Sequence, residues 1–399
     1  MRVAVLSHAL RVAGGLSVGK NLIGALSRVA PWHEYLLVVP HGAGYEEVVA
    51  RFPRAAGVFY RRRFGHLGRW YYDAFRVPHI VSRFRPDIVL SLNNRGVGSS
   101  RWCQVVLCHD PHLFYAERHF SSELLRNRLI KRYHKFRLRR DLRHTAVLLC
   151  QTHVAEQRIR MLFGYRGKAV LCPNAVSRVV LDRDNACASD GRLGRFAGRW
   201  IMFCLTRYYP HKNLEVIVDL YQRFRQQLDD TVVLLTISPD QHPKAQKLLK
   251  RIERLHLSGH IVNLGPLSQE ELATYFRACH ALLLPTLLES FSGTYLEAMQ
   301  FGLPILTSDL DFAREICGQA ALYFDPWDAA SLRDAVLRLK ADQSLARQLV
   351  AAGRWRVQNR FRSWDEIARD LVRTLEDVAA GRLSAADEEP VPVAGARAA

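Results

Sequence analysis

Long apolar runs are missing from this sequence. Its 399 residues contain no stretch of about 18 consecutive apolar residues, which a helix needs to cross a membrane. The first ten residues, MRVAVLSHAL, hold one arginine and a short apolar run, which predicts a β-strand rather than a signal peptide. We therefore expect a cytoplasmic protein without a membrane-spanning segment.

Acidic residues are scarce relative to basic ones. Asp and Glu together number 38 against 57 Lys and Arg, which gives a formal net charge of +19. Such an excess favours a polyanionic partner, whether nucleic acid, an anionic membrane or a phosphorylated substrate. The sequence has no helix-turn-helix, zinc-finger or RNP-type signature, so we expect no specific nucleic-acid partner.

Clustered cysteines are also absent. The eight cysteines include no C-x-x-C pair and no Cys/His spacing typical of a zinc site, and most lie within or beside predicted strands. They predict reduced, buried thiols and argue against a zinc-held fold. The length and the 49% content of hydrophobic residues predict two domains with full cores.

The most informative stretch is a predicted strand, loop and helix over residues 281–302. The apolar run 281–284 ends at Pro285 and predicts a buried parallel strand, and the helix that follows the loop ends at Gly302. In a parallel α/β sheet, such a loop lies at the carboxyl end of a strand and at the positive end of a helix. An anion such as a diphosphate is expected to bind the start of this helix, at Ser292, Gly293 and Thr294.

Two carboxylates flank this anion site. Glu289 lies in the loop and Glu297 on the helix, with seven residues between them. Because a carboxylate repels a phosphate, the expected role of each is to accept hydrogen bonds from neutral hydroxyls of a sugar or ribose. The stretch therefore predicts a nucleotide-sugar site.

The segment ESFSGTYLEAM at 289–299, followed by FGLPI at 301–305, resembles the E-x7-E segment of retaining glycosyltransferases of the GT4 family. Ser290 and Ser292 stand where glycine is common in that family. The resemblance implies an α/β fold of GT-B architecture, in which two Rossmann-like domains face each other across a cleft. It also implies that Glu289 contacts the donor sugar and Glu297 the ribose hydroxyls.

The order of predicted elements, read with this resemblance, divides the chain into five parts. The third predicted strand covers 87–91, and the turn Pro173-Asn174-Ala175-Val176 resembles the one that ends the first domain in the family. The expected parts are an N-terminal Rossmann-like acceptor-side domain at 1–180, a linker at 181–196, a C-terminal nucleotide-sugar-binding domain at 197–360, a helix at 361–379 that crosses back to the first domain, and a disordered tail at 380–399.

Three residues of the first domain are candidates for the donor site. Gly14 and Gly15 follow the first predicted strand, and adjacent glycines let a ligand approach the backbone closely. His109 follows the strand at 104–108, where a side chain points into the ligand crevice. In the family, the matching glycines border donor and acceptor, and the matching histidine lies near the donor sugar. The alternatives are an ordinary turn and a structural, hydrogen-bonded histidine.

Arg207 and Lys212 are the candidate cations of the second domain. They follow the predicted strand 200–205 and precede a helix, so both could stabilise the charge of a departing nucleotide diphosphate. Their spacing resembles the Arg-x4-Lys diphosphate pair of the family; the alternative is solvated surface charge. With these cations present we expect neither a metal nor another cofactor. Asp309-Leu-Asp311 mimics a D-x-D metal motif, but we interpret it as a loop.

Residues 126–143 predict a basic amphipathic helix. The segment carries nine Lys and Arg against Asp141 alone, and a second basic and aromatic cluster occupies 61–72. Basic helices with aromatic residues suit anionic membrane surfaces, which would place the protein at the inner face of the plasma membrane. The alternative is that the apolar face packs on its own domain. That face consists of Leu125, Leu129, Tyr133 and Phe136.

These observations predict a retaining, metal-independent hexosyltransferase with a UDP- or GDP-sugar donor. The expected acceptor is a glycan or lipid-linked molecule of cell-envelope polysaccharide or lipopolysaccharide assembly. The alternatives are a non-catalytic nucleotide-sugar- or glycan-binding subunit, a basic nucleic-acid-binding α/β protein, and a GT-B sugar-nucleotide epimerase, which the E-x7-E context disfavours. The expected catalytic residues are Glu289, His109, Arg207 and Lys212.

Overall fold

The computed structural model describes residues 1–61, 65–115, 125–176 and 191–383. Within them, two parallel sheets follow one another along the chain. The first sheet has seven strands in the order β3-β2-β1-β4-β5-β6-β7. Its strands are β1 Arg2–Leu6, β2 Glu34–Pro40, β3 Ala55–Tyr60, β4 Ile88–Ser91, β5 Gln104–Cys108, β6 Val147–Cys150 and β7 Lys168–Leu171.

The second sheet has six strands in the order β10-β9-β8-β11-β12-β13. Its central strands consist mainly of Val, Leu and other apolar residues that are buried on both faces, as a parallel sheet covered by helices requires. The strands are β8 Trp200–Cys204, β9 Thr231–Leu235, β10 Ile261–Asn263, β11 Ala281–Leu284, β12 Ile305–Ser308 and β13 Ala321–Phe324.

Each sheet reverses its strand order once. The first reverses between β1 and β4, and the second between β8 and β11. In open α/β sheets, the crevice outside the carboxyl ends of the strands at such a point is the usual ligand site. The loops after β8 and β11 carry the candidate residues of the second domain.

Helices cover both sheets. They are α1 Ala13–Val29, α2 Glu46–Val49, α3 Gly65–Tyr71, α4 Val77–Phe84, α5 Leu125–Asp141, α6 His153–Phe163, α7 Gly191–Gly194, α8 Glu215–Phe224, α9 Pro243–Arg254, α10 Gln269–Ala278, α11 Gly293–Phe301, α12 Asp311–Cys317, α13 Ala329–Ala341, α14 Gln343–Asn359 and α15 Trp364–Ala379. A π-helical turn, Tyr72–Arg76, joins α3 to α4.

The sequence analysis was wrong about the third strand. Residues 88–91 form the fourth strand along the chain and not the third. The strand that was not predicted, β3, precedes them in the sequence and lies at the edge of the sheet. Most residues of β3 are partly or fully exposed, and Gly57 interrupts the run, so the segment lacks the apolar pattern that marks the central strands.

The last helix, α15, packs against the part of the protein that contains the first sheet. Its apolar face joins the core that contains α1, and Arg28 of α1 donates a hydrogen bond to Asp365 at 2.6 Å. Residues 181–190 of the expected linker lie outside the described residues, as does 384–399 of the expected tail. Every described cysteine is free, and all of these except Cys103 are buried.

Candidate functional site

The loop between β11 and α11 is built as its sequence predicts. Gly302 ends α11 with a φ of +70°, a left-handed conformation that glycine adopts without strain. At the other end, the Ser292 side chain does not cap the helix, and a Cβ added at Gly293 would meet nothing within 4 Å. The first backbone N–H groups of α11 therefore start beside open space and can bind an anion.

The loops after β8 and β11 are tied together by main-chain contacts. Leu287 donates its N–H to the carbonyl oxygen of His211 at 2.7 Å, and the Thr286 hydroxyl donates to the same oxygen at 3.3 Å. This connection brings Lys212 and Glu289 into an ion pair, in which both side chains are largely buried. Two candidates that are 77 residues apart in the sequence thus meet at the reversal point of the second sheet.

Arg207 and Glu297 differ from this pair, because neither is paired within the part of the chain that the structure describes. The Arg207 side chain is exposed, and neither residue makes an ion pair or side-chain hydrogen bond with any residue that the structure describes. Glu297 is half-buried, and desolvation by the surrounding protein raises the pKa of its carboxyl to about 7. Its oxygens are available to hydroxyl donors.

His109 is held at the end of β5 by two neighbours. The Asn94 side-chain oxygen accepts the N–H of His109 at 2.6 Å, and the ring Nε2 lies 3.0 Å from the carbonyl oxygen of Leu92. Because a carbonyl only accepts, Nε2 carries the proton and Nδ1 remains an acceptor. Burial lowers the pKa of this histidine and keeps the ring neutral.

The structure places the glycine pair at the first turn of α1, next to His109. A Cβ added at Gly15 would lie 3.5 Å from Cε1 of His109 and 3.3 Å from Cδ2 of Leu10, whereas a Cβ at Gly14 would meet nothing within 4 Å. Val12 precedes the helix and supplies no side-chain cap. A side chain at position 15 would thus make an ordinary contact with His109 and a tight one with Leu10.

Ser290 connects the two sheets at this point. Its hydroxyl lies 2.8 Å from the carbonyl oxygen of His109 and 2.6 Å from Oε1 of Gln151. The sequence analysis noted Ser290 only as a departure from glycine, and it did not identify Gln151 or Asn94. The available signal for Gln151 was a polar residue directly after a predicted parallel strand, whereas Asn94 is the third residue after β4.

The D-x-D sequence takes part in ion pairs. Asp309 pairs with Arg314, and Asp311 accepts hydrogen bonds from Tyr115 at 2.9 Å and from Arg158. The interpretation as a loop was wrong for Asp311, which begins α12. Within the described ranges, no group of three or more His, Cys, Asp or Glu residues could hold a metal ion.

The basic helix α5 turns its aromatic residues outward. Leu138 is fully buried, whereas Phe136 is 65% exposed and Tyr133 37% exposed. Phe136 therefore contradicts the alternative in which this face packs on its own domain, whereas more than half of the Tyr133 side chain is covered; the side chains of Leu125 and Leu129 lie outside the described residues. None of the helices that the structure describes is both long and apolar enough to span a membrane.

The sequence is similar to a known protein family and to known proteins. Residues 189–356 match the family model described as Glycosyl transferases group 1. A phosphatidyl-myo-inositol mannosyltransferase of Mycobacterium leprae is 28% identical over 215 residues, which are 53% of this chain and 54% of that protein. The match thus spans about half the length of this curated relative.

Two solved structures share the fold. A sucrose-phosphate synthase of Thermosynechococcus elongatus has a TM-score of 0.74 at 17% identity, and the match covers 96% of this chain and all of that one. The Anabaena protein HepE, solved in complex with UDP and glucose, has a TM-score of 0.70 at 16% identity over 94% of this chain and all of its own. The chain has the GT-B fold, and its residues 189–356 resemble the glycosyl transferases group 1 family.

Proposed function

We propose that this protein is a retaining glycosyltransferase that moves a hexose from a nucleotide diphosphate sugar to an acceptor hydroxyl without a metal ion. One observation carries the proposal. At the reversal point of the second sheet, Lys212 meets Glu289 beside the uncapped start of α11. Lys212 and the start of α11 would bind the diphosphate of the donor, and the carboxylate of Glu289 would bind its hexose.

The diphosphate fits the positive elements of this site. Arg207 is exposed without an ion-pair partner among the described residues, and the N–H groups at the start of α11 add partial positive charge. Lys212 is held by Glu289 and would share its ammonium between that carboxylate and a phosphate oxygen. Together they would stabilise the negative charge that grows on the leaving diphosphate, which is the role a divalent cation has in other enzymes.

The neutral parts of the donor fit the two carboxylates and His109. Glu297 lacks a hydrogen bond from the described part of the protein, so its oxygens can accept the ribose hydroxyls. Glu289 lies in the loop next to the ion pair and would accept from hydroxyls of the hexose. Nδ1 of His109 can accept from a further sugar hydroxyl, since Nε2 donates to Leu92.

The reaction breaks the bond between the anomeric carbon and the phosphate oxygen and forms one between that carbon and the acceptor oxygen. The resemblance to retaining enzymes implies that the acceptor's proton passes to the leaving phosphate oxygen on the same face. In that case the protein needs no separate general base. Its contribution is to orient the reactants and to stabilise the leaving group.

The acceptor class follows from charge and from the relatives. The match to a phosphatidyl-myo-inositol mannosyltransferase makes mannose the first hexose to test and a lipid-linked or envelope glycan the first acceptor class. The net charge of +19 agrees with an acceptor that carries phosphate or lies in an anionic membrane. HepE, solved with UDP and glucose, supports a nucleotide donor in this fold.

A thermal-shift panel of UDP-, GDP-, ADP- and dTDP-sugars tests donor binding. A ligand that binds only the folded state raises the melting temperature by mass action. We expect one nucleotide to raise it in the wild type and to do so much less in Lys212→Ala. Binding without hexose transfer would favour the non-catalytic subunit, and tight, salt-resistant RNA binding without any nucleotide effect would favour the nucleic-acid-binding alternative.

A further inference from the structure

Ser290 follows Glu289 directly and reaches across the cleft to the first domain. The residue is only 5% exposed, and two acceptors lie within reach of its single hydroxyl proton: the carbonyl oxygen of His109 at 2.8 Å and Oε1 of Gln151 at 2.6 Å. A polar contact buried to this degree is strong when satisfied and costly when one partner is lost.

The orientation of Gln151 is itself fixed. Its Nε2 donates to Oδ1 of Asn174 at 2.6 Å, so Oε1 faces Ser290. Asn174 in turn donates from Nδ2 to the carbonyl oxygen of Phe291 at 3.3 Å. Both first-domain side chains are more than nine-tenths buried. The result is a closed chain of hydrogen bonds through Ser290, Gln151, Asn174 and Phe291.

This chain of bonds holds one end of the loop that carries Glu289. The first-domain partners follow β5, β6 and β7, the last three strands of that sheet. The other end of the loop is held within the second domain, by the bonds of Thr286 and Leu287 to His211. Glu289 therefore lies between one attachment to each domain, and its position depends on how the domains meet.

We propose that Ser290 is a positioning residue that couples the approach of the two domains to the placement of Glu289 and His109. This inference rests on the proposed function of the site. When the domains meet, one hydroxyl connects the loop of Glu289 to the backbone of His109, so that both reach the donor hexose together. The family commonly has glycine at this position, which lacks the hydroxyl.

The expected consequence is a loss of turnover without a loss of nucleotide affinity. The groups proposed to hold the nucleotide, Arg207, Lys212, Glu297 and the start of α11, all belong to the second domain and keep their positions when the hydroxyl is removed. A misplaced reacting group, in contrast, lowers the rate steeply, by up to about 100-fold for a shift of about 1 Å.

The test compares Ser290→Ala with wild type and with Tyr115→Phe. Tyr115 also donates a hydroxyl across the interface, to Asp311 at 2.9 Å, and this partner belongs to α12 rather than to the Glu289 loop. We expect Ser290→Ala to lower kcat by about 10- to 100-fold. The dissociation constant of the nucleoside diphosphate should change less than about twofold, which is below 0.5 kcal/mol. Tyr115→Phe should keep kcat near the wild-type value.

A second comparison, with Gln151→Ala and the double variant, distinguishes loss of the proposed connection from a general disturbance of the structure. Gln151→Ala should lower kcat as Ser290→Ala does, and the double variant should be no worse than either single one, because both remove the same connection. A wild-type kcat in Ser290→Ala, or equal losses in Ser290→Ala and Tyr115→Phe, would overturn the inference while leaving the proposed function standing. A wild-type protein that transfers no hexose from any donor would overturn both.

Discussion

The ammonium group of Lys212 forms an ion pair with the carboxylate of Glu289, across the loops that follow β8 and β11. Both side chains are less than one-fifth exposed. In the free protein, each therefore neutralises the other in a place that is partly shielded from water. A bound diphosphate would draw the ammonium toward its own oxygens, and the hexose hydroxyls would compensate Glu289.

Removing either proposed diphosphate cation should slow transfer. We expect Arg207→Ala and Lys212→Ala each to lower kcat/KM by about 100-fold or more, as the loss of one preorganised charge donor does in other enzymes. Lys340→Ala is the matched control, since Lys340 pairs with Asp230 away from the site. Initial-rate kinetics provide the measurement. Near-normal rates in both folded variants would refute the diphosphate assignment.

Because Lys212 and Glu289 form an ion pair, we expect the effects of Lys212→Ala and Glu289→Gln on nucleotide affinity not to be additive. Lys212→Ala leaves the Glu289 carboxylate without its partner and close to the diphosphate, so nucleotide binding should weaken by repulsion as well as by loss of the cation. Adding Glu289→Gln should restore part of that affinity. Calorimetric titration with the nucleoside diphosphate measures both effects. Equal affinities in the single and double variants would mean that the carboxylate lies too far from the diphosphate to repel it.

The two carboxylates should differ in which part of the donor they hold. Glu297→Ala should weaken binding of the free nucleoside diphosphate, because the ribose loses its acceptor. Glu289→Ala should leave a nucleotide-binding protein that does not transfer the hexose. Calorimetry and transfer assays on the same preparations separate the roles, which are misassigned if both variants bind the nucleotide equally well.

Glu297 also predicts a pH dependence of stability. Burial raises the pKa of this carboxyl from 4.5 to about 7, so between these values the folded protein holds a proton that the unfolded chain releases. The contribution of Glu297 to the free energy of unfolding therefore falls as the pH rises from 4.5 to 7. Glu297→Gln should raise the melting temperature more at pH 8 than at pH 5. A difference that does not change with pH would contradict the raised pKa.

Chelation should leave the initial transfer rate unchanged. Arg207, Lys212 and the start of α11 provide the positive charge at the leaving group in our proposal, so saturating EDTA removes nothing that the reaction needs. Loss of activity in EDTA, with recovery on adding Mn²⁺ or Mg²⁺, would make Asp309 and Asp311 candidate ligands again.

We propose that one surface of the first domain binds anionic membranes. Exposed Trp70, Tyr71 and Phe75 have their rings in contact, with centroids 5.8 Å apart for Trp70 and Phe75 and 5.4 Å apart for Tyr71 and Phe75. Helix α5 also exposes Phe136 among arginines. Aromatic side chains at the interface add affinity that salt does not screen, and each nearby basic residue adds about 1 kcal/mol.

Vesicle flotation tests this surface. We expect the wild type to float with anionic but not with neutral phospholipid vesicles, and to lose this binding on charge reversal of three exposed residues, Arg132 and Arg139 on α5 and Arg143 just after it. Reversal of three exposed charges on α9, Lys247, Lys250 and Arg254, is the matched control and should leave flotation intact. Phe136→Ser should weaken binding at high salt. Absence of flotation at low salt would refute the membrane partner without affecting the catalytic proposal.

Much of the second domain could be predicted from local sequence. The bounds of β11 and α11 match the prediction because an apolar run, a proline and a glycine with positive φ each act within a few residues. The ends of the parallel strands also predicted which candidates would share a crevice. The first prediction depends on interactions between residues close in sequence. The second depends on the general property that the carboxyl ends of parallel strands meet at one edge of the sheet.

The features that were not predicted from the sequence depend mainly on contacts between segments that are distant in the chain. Gln151 and Asn174 gain their role only when the first domain meets Ser290, and the position of Gln151 directly after a strand does not reveal this distant partner. The pairing of Lys212 with Glu289 likewise follows from the bond between Leu287 and His211. Edge strand β3 was missed because an exposed strand carries no apolar signal.

Hexose transfer from labelled UDP- and GDP-sugars into a mixture of envelope lipids and glycans tests the central claim most directly. Our account predicts that the wild type incorporates label from at least one donor and releases the matching nucleoside diphosphate in equal amount. It also predicts that Lys212→Ala and Glu289→Gln, folded to the same extent, incorporate at least about 100-fold less. Incorporation that is unchanged in both variants, or no incorporation by the wild type from any donor, would contradict it.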